Sequence, residues 1–229
     1  WVQLDQNVRS NESNTPLVTP SRMSKTFSGK RLQSLTNSYT NIKGEKYDGG
    51  FKIEYVRDIE GNDLDHSVIS TMMRIDLDKP MLKGDSYSFK IKWSYEINDR
   101  MKIGGRGGYE YFPKDNNFSY TIAQWFPRMA VYDDKEGWQN KQFLGRGEFA
   151  LAFGDYELNI TVPADFIVAA TGDLQNPKQV LTKTELERYE RAKTTFDKPV
   201  LITTQEEAIK KENNPVKNKT KTWRYKAEM

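Results

Sequence analysis

The sequence predicts an all-β fold, and three observations carry that prediction. Apolar residues recur at every second position in several separate stretches, the period of a strand with one buried face. Tyr87, Phe89, Ile91, Trp93 and Tyr95 place five large side chains at alternate positions, the strongest local signal in the chain. Helical spacing is confined to one short stretch within 178–221.

Taken in order, Trp1-Val2-Gln3-Leu4 begins directly in a strand-like segment with no initiator Met, so the chain is expected to continue upstream. Residues 9–48 are dominated by Ser, Asn, Thr, Lys and Gly and read as an extended connection. Phe51, Ile53 and Tyr55 then alternate with polar residues, as do Met73, Ile75 and Leu77. The turn-prone Leu82-Lys83-Gly84-Asp85 precedes the aromatic strand. Tyr156, Leu158, Ile160 and Val162 repeat the alternation. Phe166 to Ala170 is an uninterrupted apolar run ended by Thr171-Gly172, as for a strand buried on both faces.

The exception is Thr182 to Lys193. It opens with Thr182-x-x-Glu185, a capping box, and sets Glu187 four residues before Arg191, so it predicts a short helix. Residues 178–221 form a charged insertion carrying this helix, between parts of one β-domain assigned to 1–177 and 222–229. Trp223, Tyr225 and Ala227 alternate with basic residues as a last strand, and the chain stops at Met229 before any turn signal.

A chain of 229 residues buries enough surface to fold without staples. Its apolar content of 36% is low, but 5 Trp, 12 Tyr and 11 Phe supply the core. The net charge of +3 is spread along interleaved acidic and basic residues, which argues against nucleic acid as a partner. No apolar run reaches the roughly 18 residues of a membrane span. The absence of cysteine removes disulfides, thiolate nucleophiles and Cys-type zinc sites, and leaves the compartment open.

Candidate chemistry is sparse. The one histidine, His66, lies in Asp63-Leu64-Asp65-His66-Ser67, which reads as a polar turn, since a zinc hydrolase needs further nitrogen ligands. Gly104-Gly105-Arg106-Gly107-Gly108 lacks the Gly-Lys-Ser/Thr ending of a phosphate loop and reads as a hairpin or loop tip, with a substrate-facing loop as the functional alternative. Asp133, Asp134 and Glu148 are carboxylates that nothing in the linear sequence pairs across a cleft.

One segment is more specific. Tyr120 to Pro177 contains AQWFPRMAVYDD, GWQNKQFLGRGEF, GDYELNITVPADFIVAATG and LQNP in that order. It resembles the N-terminal domain of the M1-family zinc metallopeptidases, the group of aminopeptidase N and leukotriene A4 hydrolase, in a bacterial branch. LDKPMLKGDSYSFKIKWSYEI on one side, and KPVLITTQEEA with KTWRYKAEM on the other, extend the resemblance from Phe51 to Met229. It implies a saddle-like antiparallel β-sandwich with a short helical insertion, lying over a C-terminal catalytic domain. Zinc and the His-Glu-x-x-His and Gly-x-Met-x-Asn motifs belong to that following domain and do not occur here, so this piece alone is expected to be inactive.

The family's N-terminal domain lends one Gln or Glu to grip the substrate's free α-amine, and Gln124 is the residue nearest that role. A structural hydrogen-bonder is the alternative reading, because the usual spacing to the aromatic-Pro turn is longer. The resemblance further implies a peptide substrate, the chain's own catalytic domain as partner, and a periplasmic or secreted location. A non-enzymatic β-sandwich that binds protein or glycan, and an M1-like interaction protein without its zinc, are the alternatives to an aminopeptidase.

Overall fold

The computed structural model describes residues 1–13, 28–30, 32–33, 47–143, 151–214, 216 and 218–228. Most of the 9–48 connection, Glu148 and the Gly145 to Phe149 part of the family-like segment lie outside them. The structure is rich in strands, and these form small antiparallel sheets with few helices. Contacts divide the chain into two units, Trp1–Ala152 and Phe153–Met229.

In the first unit, β1 (Val2–Gln3) pairs with β4 (Met72–Ile75) on one side and β8 (Arg128–Met129) on the other, and β3 (His66–Ile69) extends β4, giving the order β3-β4-β1-β8. A separate antiparallel pair joins β2 (Lys52–Asp58) to β5 (Phe89–Ser94). Val2, Leu4, Val56, Leu64 and Met73 are buried in one cluster, with Phe51, Ile53, Ile75, Phe89 and Ile91 packed on it. The aromatic strand therefore turns Phe89 and Ile91 to this core, as its alternation predicts.

The alternation of Phe51, Ile53 and Tyr55 does not survive as one face. The register with β5 slips between Ile53 and Tyr55, so Ile53 faces Trp93 while Tyr55 faces Lys92. One extra residue moves every following side chain to the opposite face. Val56 consequently takes the core position, and Tyr55 receives the Arg57 guanidinium over its ring at 4.5 Å. His66 is likewise in a strand rather than a turn.

After β5 come a short helix α1 (Arg100–Ile103), the hairpin β6 (Gly108–Phe112) with β7 (Asn117–Thr121), and the small pair β9 (Tyr132–Asp133) with β10 (Gly137–Trp138). Gln142 ties the chain beyond this pair to the β3–β4 turn. Its Oε1 accepts from the Thr71 N–H and hydroxyl at 2.7 Å each, and its Nε2 donates to the Ile69 carbonyl at 2.9 Å.

In the second unit β13 (Thr220–Ala227) is central, flanked by β11 (Tyr156–Pro163) and β12 (Asp173–Leu174). Leu158 lies opposite Tyr225 and Ile160 opposite Trp223, and these residues build a core with Val180. The apolar run Phe166 to Ala170 is not a strand. β11 takes one edge of β13 along its whole length and β12 takes part of the other, and the run joins neither edge. It instead leans Val168 and Ala170 on the core and leaves Phe166 and Ile167 exposed, while the Tyr225 hydroxyl donates to the Val168 carbonyl at 2.9 Å.

Three helices separate β12 from β13: α2 (Pro177–Val180), α3 (Lys183–Ala192) and α4 (Gln205–Asn213). The helix expected from the Thr182 capping box is α3. Helix α4 has the same start, Thr204-x-x-Glu207, and both capping boxes are complete. Each capping glutamate also reaches the other helix. Glu185 binds Lys211 of α4, and Glu207 binds Arg188 of α3. Each helix is thereby tied to the body of the other by the side chain that caps its start. Among the described residues no helix is long and apolar enough to cross a membrane.

A candidate substrate-binding turn at Gln124

Gln124 lies in the first unit, between β7 and β8, in the segment Ala123-Gln124-Trp125-Phe126-Pro127-Arg128. Its φ is +53°, in the left-handed region that a glutamine enters only when its surroundings over-determine it. Those surroundings are visible. Gln6, 3% exposed, sits in the 3-10 helix Asp5–Arg9 that follows β1, and its Nε2 donates to the carbonyls of both Ala123 and Gln124, at 3.1 and 2.9 Å. The Trp93 indole N–H donates to the Trp125 carbonyl at 3.1 Å, and the two indole rings lie 6.1 Å apart.

Farther along, the Arg128 guanidinium donates to both oxygens of Asp5, at 2.8 and 3.2 Å. The Ala130 N–H donates to the Trp1 carbonyl at 3.0 Å. The first nine residues thus hold the aromatic-Pro segment at both ends.

The hydrogen bond at Gln124 runs through its main-chain carbonyl. Among the described residues its side-chain carboxamide has no hydrogen-bond partner. It is half-buried, next to Trp125 and Phe126, whose rings are 5.1 Å apart. A carboxamide oxygen so placed accepts hydrogen bonds, and an ammonium group is a donor that fits it.

The glycine segment belongs to the same neighbourhood. It is a helix-to-strand link rather than a hairpin tip: Gly104 ends α1, and Gly108 opens β6. A Cβ on Gly107 would stand 3.1 Å from the Thr121 carbonyl and 3.2 Å from the Ala123 N–H, so this glycine lets the link lie directly on the backbone beside Gln124. Gly105, at φ +99°, faces the Arg9 guanidinium, and Arg9 Nη1 donates to Gln6 Oε1 at 2.7 Å.

This arrangement gives a paired prediction. Gly61 has a closely similar φ of +97° and open space around it. Gly61→Ala is expected to lose only the backbone strain, about 1–2 kcal/mol. Gly105→Ala is expected to lose that and about 1 kcal/mol more, because the new methyl displaces Arg9 from Gln6. Urea unfolding of both variants, repeated with Arg9→Ala, checks it: the excess disappears when Arg9 is absent.

The other sequence candidates fall elsewhere. His66 is exposed in β3, with Nδ1 3.0 Å from the Leu64 carbonyl. Asp133 caps its own turn. The N–H of Glu136, the Gln139 amide and the N–H of Lys135 hold its carboxyl below the usual range against a smaller effect of burial. Among the described residues no group of three or more His, Asp or Glu side chains is arranged to hold a metal ion, and the chain has no cysteine. These residues do not fit a zinc site.

Sequence reasoning reached Gln124 and the glycine link separately and missed what joins them. Asp5, Gln6 and Arg9 directly follow an apolar strand, but nothing in the linear sequence connects them to the distant residues they meet. The available signal is a run of polar residues just where a buried strand ends. No family model, curated protein or solved structure matches the chain.

Proposed function

We propose that this chain is the substrate-cleft domain of a zinc aminopeptidase of the M1 type, and that the Gln124 carboxamide accepts a hydrogen bond from the free α-amine of a peptide. The observation that carries the reading is Gln124 itself: a glutamine held in a strained backbone conformation by a buried clamp, with its own side chain left unengaged. The ordered motifs of Tyr120 to Pro177 and the β-rich architecture support it. Strain of this kind collects at functional sites because it fixes a side chain in advance of binding.

In this reading zinc resides in the catalytic domain that follows, where it supplies the activated water for peptide hydrolysis. This chain's residues bind and orient the substrate amine and carry no chemical step. The enzyme acts from the free N-terminus of its peptide and is exported to the periplasm or beyond. The test is Gln124→Ala in the full-length protein, assayed on aminoacyl substrates with free and with acetylated amines. A hydrogen bond to a charged group contributes about 1.5–3 kcal/mol, so KM for the free-amine substrate is expected to rise about tenfold or more with kcat little changed. An unchanged KM removes Gln124 from the site.

A second reading rests on the β6–β7 hairpin, where Tyr109, Tyr111, Phe118 and Tyr120 share one face with adjacent ring centroids 4.8 to 6.3 Å apart. Tyr111, Phe118 and Tyr120 are all exposed. An aromatic face of this kind suits a non-enzymatic binding module. A full-length protein that carries no zinc and cleaves nothing would favour it.

A further inference from the structure

We infer that Gln6 is the positioning residue of the Gln124 site, and that Arg9 sets its orientation. The inference rests on the aminopeptidase reading of Gln124 and goes beyond it, because Gln6 touches no substrate in this account. A primary carboxamide has two N–H donors and one carbonyl acceptor. The Gln6 side chain uses all of them in one way: Nε2 donates to two successive carbonyls, Ala123 and Gln124, and Oε1 accepts from Arg9 Nη1. The Arg9 contact decides which end of the amide faces the turn. If the amide were flipped, an oxygen would face both carbonyls, and Arg9 would meet an NH2 group.

The turn needs such a clamp. Gln124 has a Cβ and occupies left-handed backbone space, so a free Ala123-Gln124 linkage relaxes toward ordinary φ values and carries the side chain with it. With the clamp lost, the conformation that presents the Gln124 carboxamide becomes a minority. Apparent affinity then falls by the fraction that remains competent. Substrate that does bind still selects the same conformation, so kcat is preserved. The expected signature is a rise in KM that requires Gln124 to be present, which general destabilisation does not produce.

The experiment is a double-mutant cycle in the full-length protein, with kcat and KM measured on an unblocked aminoacyl substrate. Gln6→Glu is the chosen change. It keeps the volume and the Arg9 partner but replaces the double donor with an acceptor. KM is expected to rise about tenfold with kcat within about threefold of wild type, and Gln6→Glu is expected to add nothing further in a Gln124→Ala background. Arg9→Met, which releases the amide to flip, is expected to give the same non-additive pattern at about threefold, and it carries the test if Gln6→Glu does not fold.

The proposal is overturned if Gln6→Glu leaves KM unchanged, or if it raises KM by the same factor with and without Gln124. Those outcomes differ from failure of the functional reading itself. There, Gln124→Ala alone leaves KM unchanged, or the wild-type protein does not cleave, and this proposal falls with it.

Discussion

Replacing Asp5 with alanine is expected to cost about 3–5 kcal/mol, a large share of the stability of an ordinary domain. Asp5 and Arg128 form a bidentate pair with side chains 1% and 10% exposed. Removing the carboxylate leaves a guanidinium charge with almost no access to water. The alanine therefore does more than delete an attraction: it takes the bidentate carboxylate away from a buried cation beside the β1–β8 pairing. Asp5→Ala with Arg128→Met is expected to lose less than Asp5→Ala alone, because the buried guanidinium charge is removed together with its carboxylate. Urea unfolding of the two variants checks this, and a single variant within about 1 kcal/mol of wild type would refute it.

Glu185 gives the second large effect, and it depends on pH. The side chain is 1% exposed. Burial alone would push its carboxyl up, but hydrogen bonds from Lys211, the Thr182 N–H and the hydroxyls of Thr203 and Thr182 outweigh burial and bring it from 4.5 to about 2. Since the folded value is the lower one, the contribution is fully present above about pH 4.5. It declines as pH falls through that range and is gone below about 2. In full it amounts to about 3 kcal/mol. Glu185→Gln is expected to lose about that much at neutral pH and to show a flatter dependence of stability on pH between 4.5 and 2. Equal sensitivity to acid in variant and wild type would contradict the assignment.

Legibility in the sequence followed the range of the interactions. The face of β5, the β11–β13 core and the start of α3 were readable because strand alternation and capping act over a few residues. The second capped helix, α4, was equally local in its Thr204-x-x-Glu207 start, but its apolar stripe is weak. The slip at Glu54 was not readable, because a bulge is defined by the partner strand. The run from Phe166 to Ala170 has strand composition, and nothing local to it shows that it packs Val168 and Ala170 on the core without joining a ladder.

At the candidate site, the left-handed φ of Gln124 has no local signature, since the residue is neither Gly nor Asn. Its cause is Gln6, held by contacts that span over a hundred residues. The glycine link was visible as composition. Its use was not, because the need for Gly105 and Gly107 arises from Arg9 and Ala123 lying against them.

The most direct test of the central claim is to measure zinc content and hydrolysis of aminoacyl substrates, with free and with acetylated α-amines, in the full-length protein and in residues 1–229 alone. About one zinc per molecule and cleavage confined to free-amine substrates are expected in the full-length protein, with neither in the shorter chain. A full-length protein without zinc that cleaves neither substrate would contradict it.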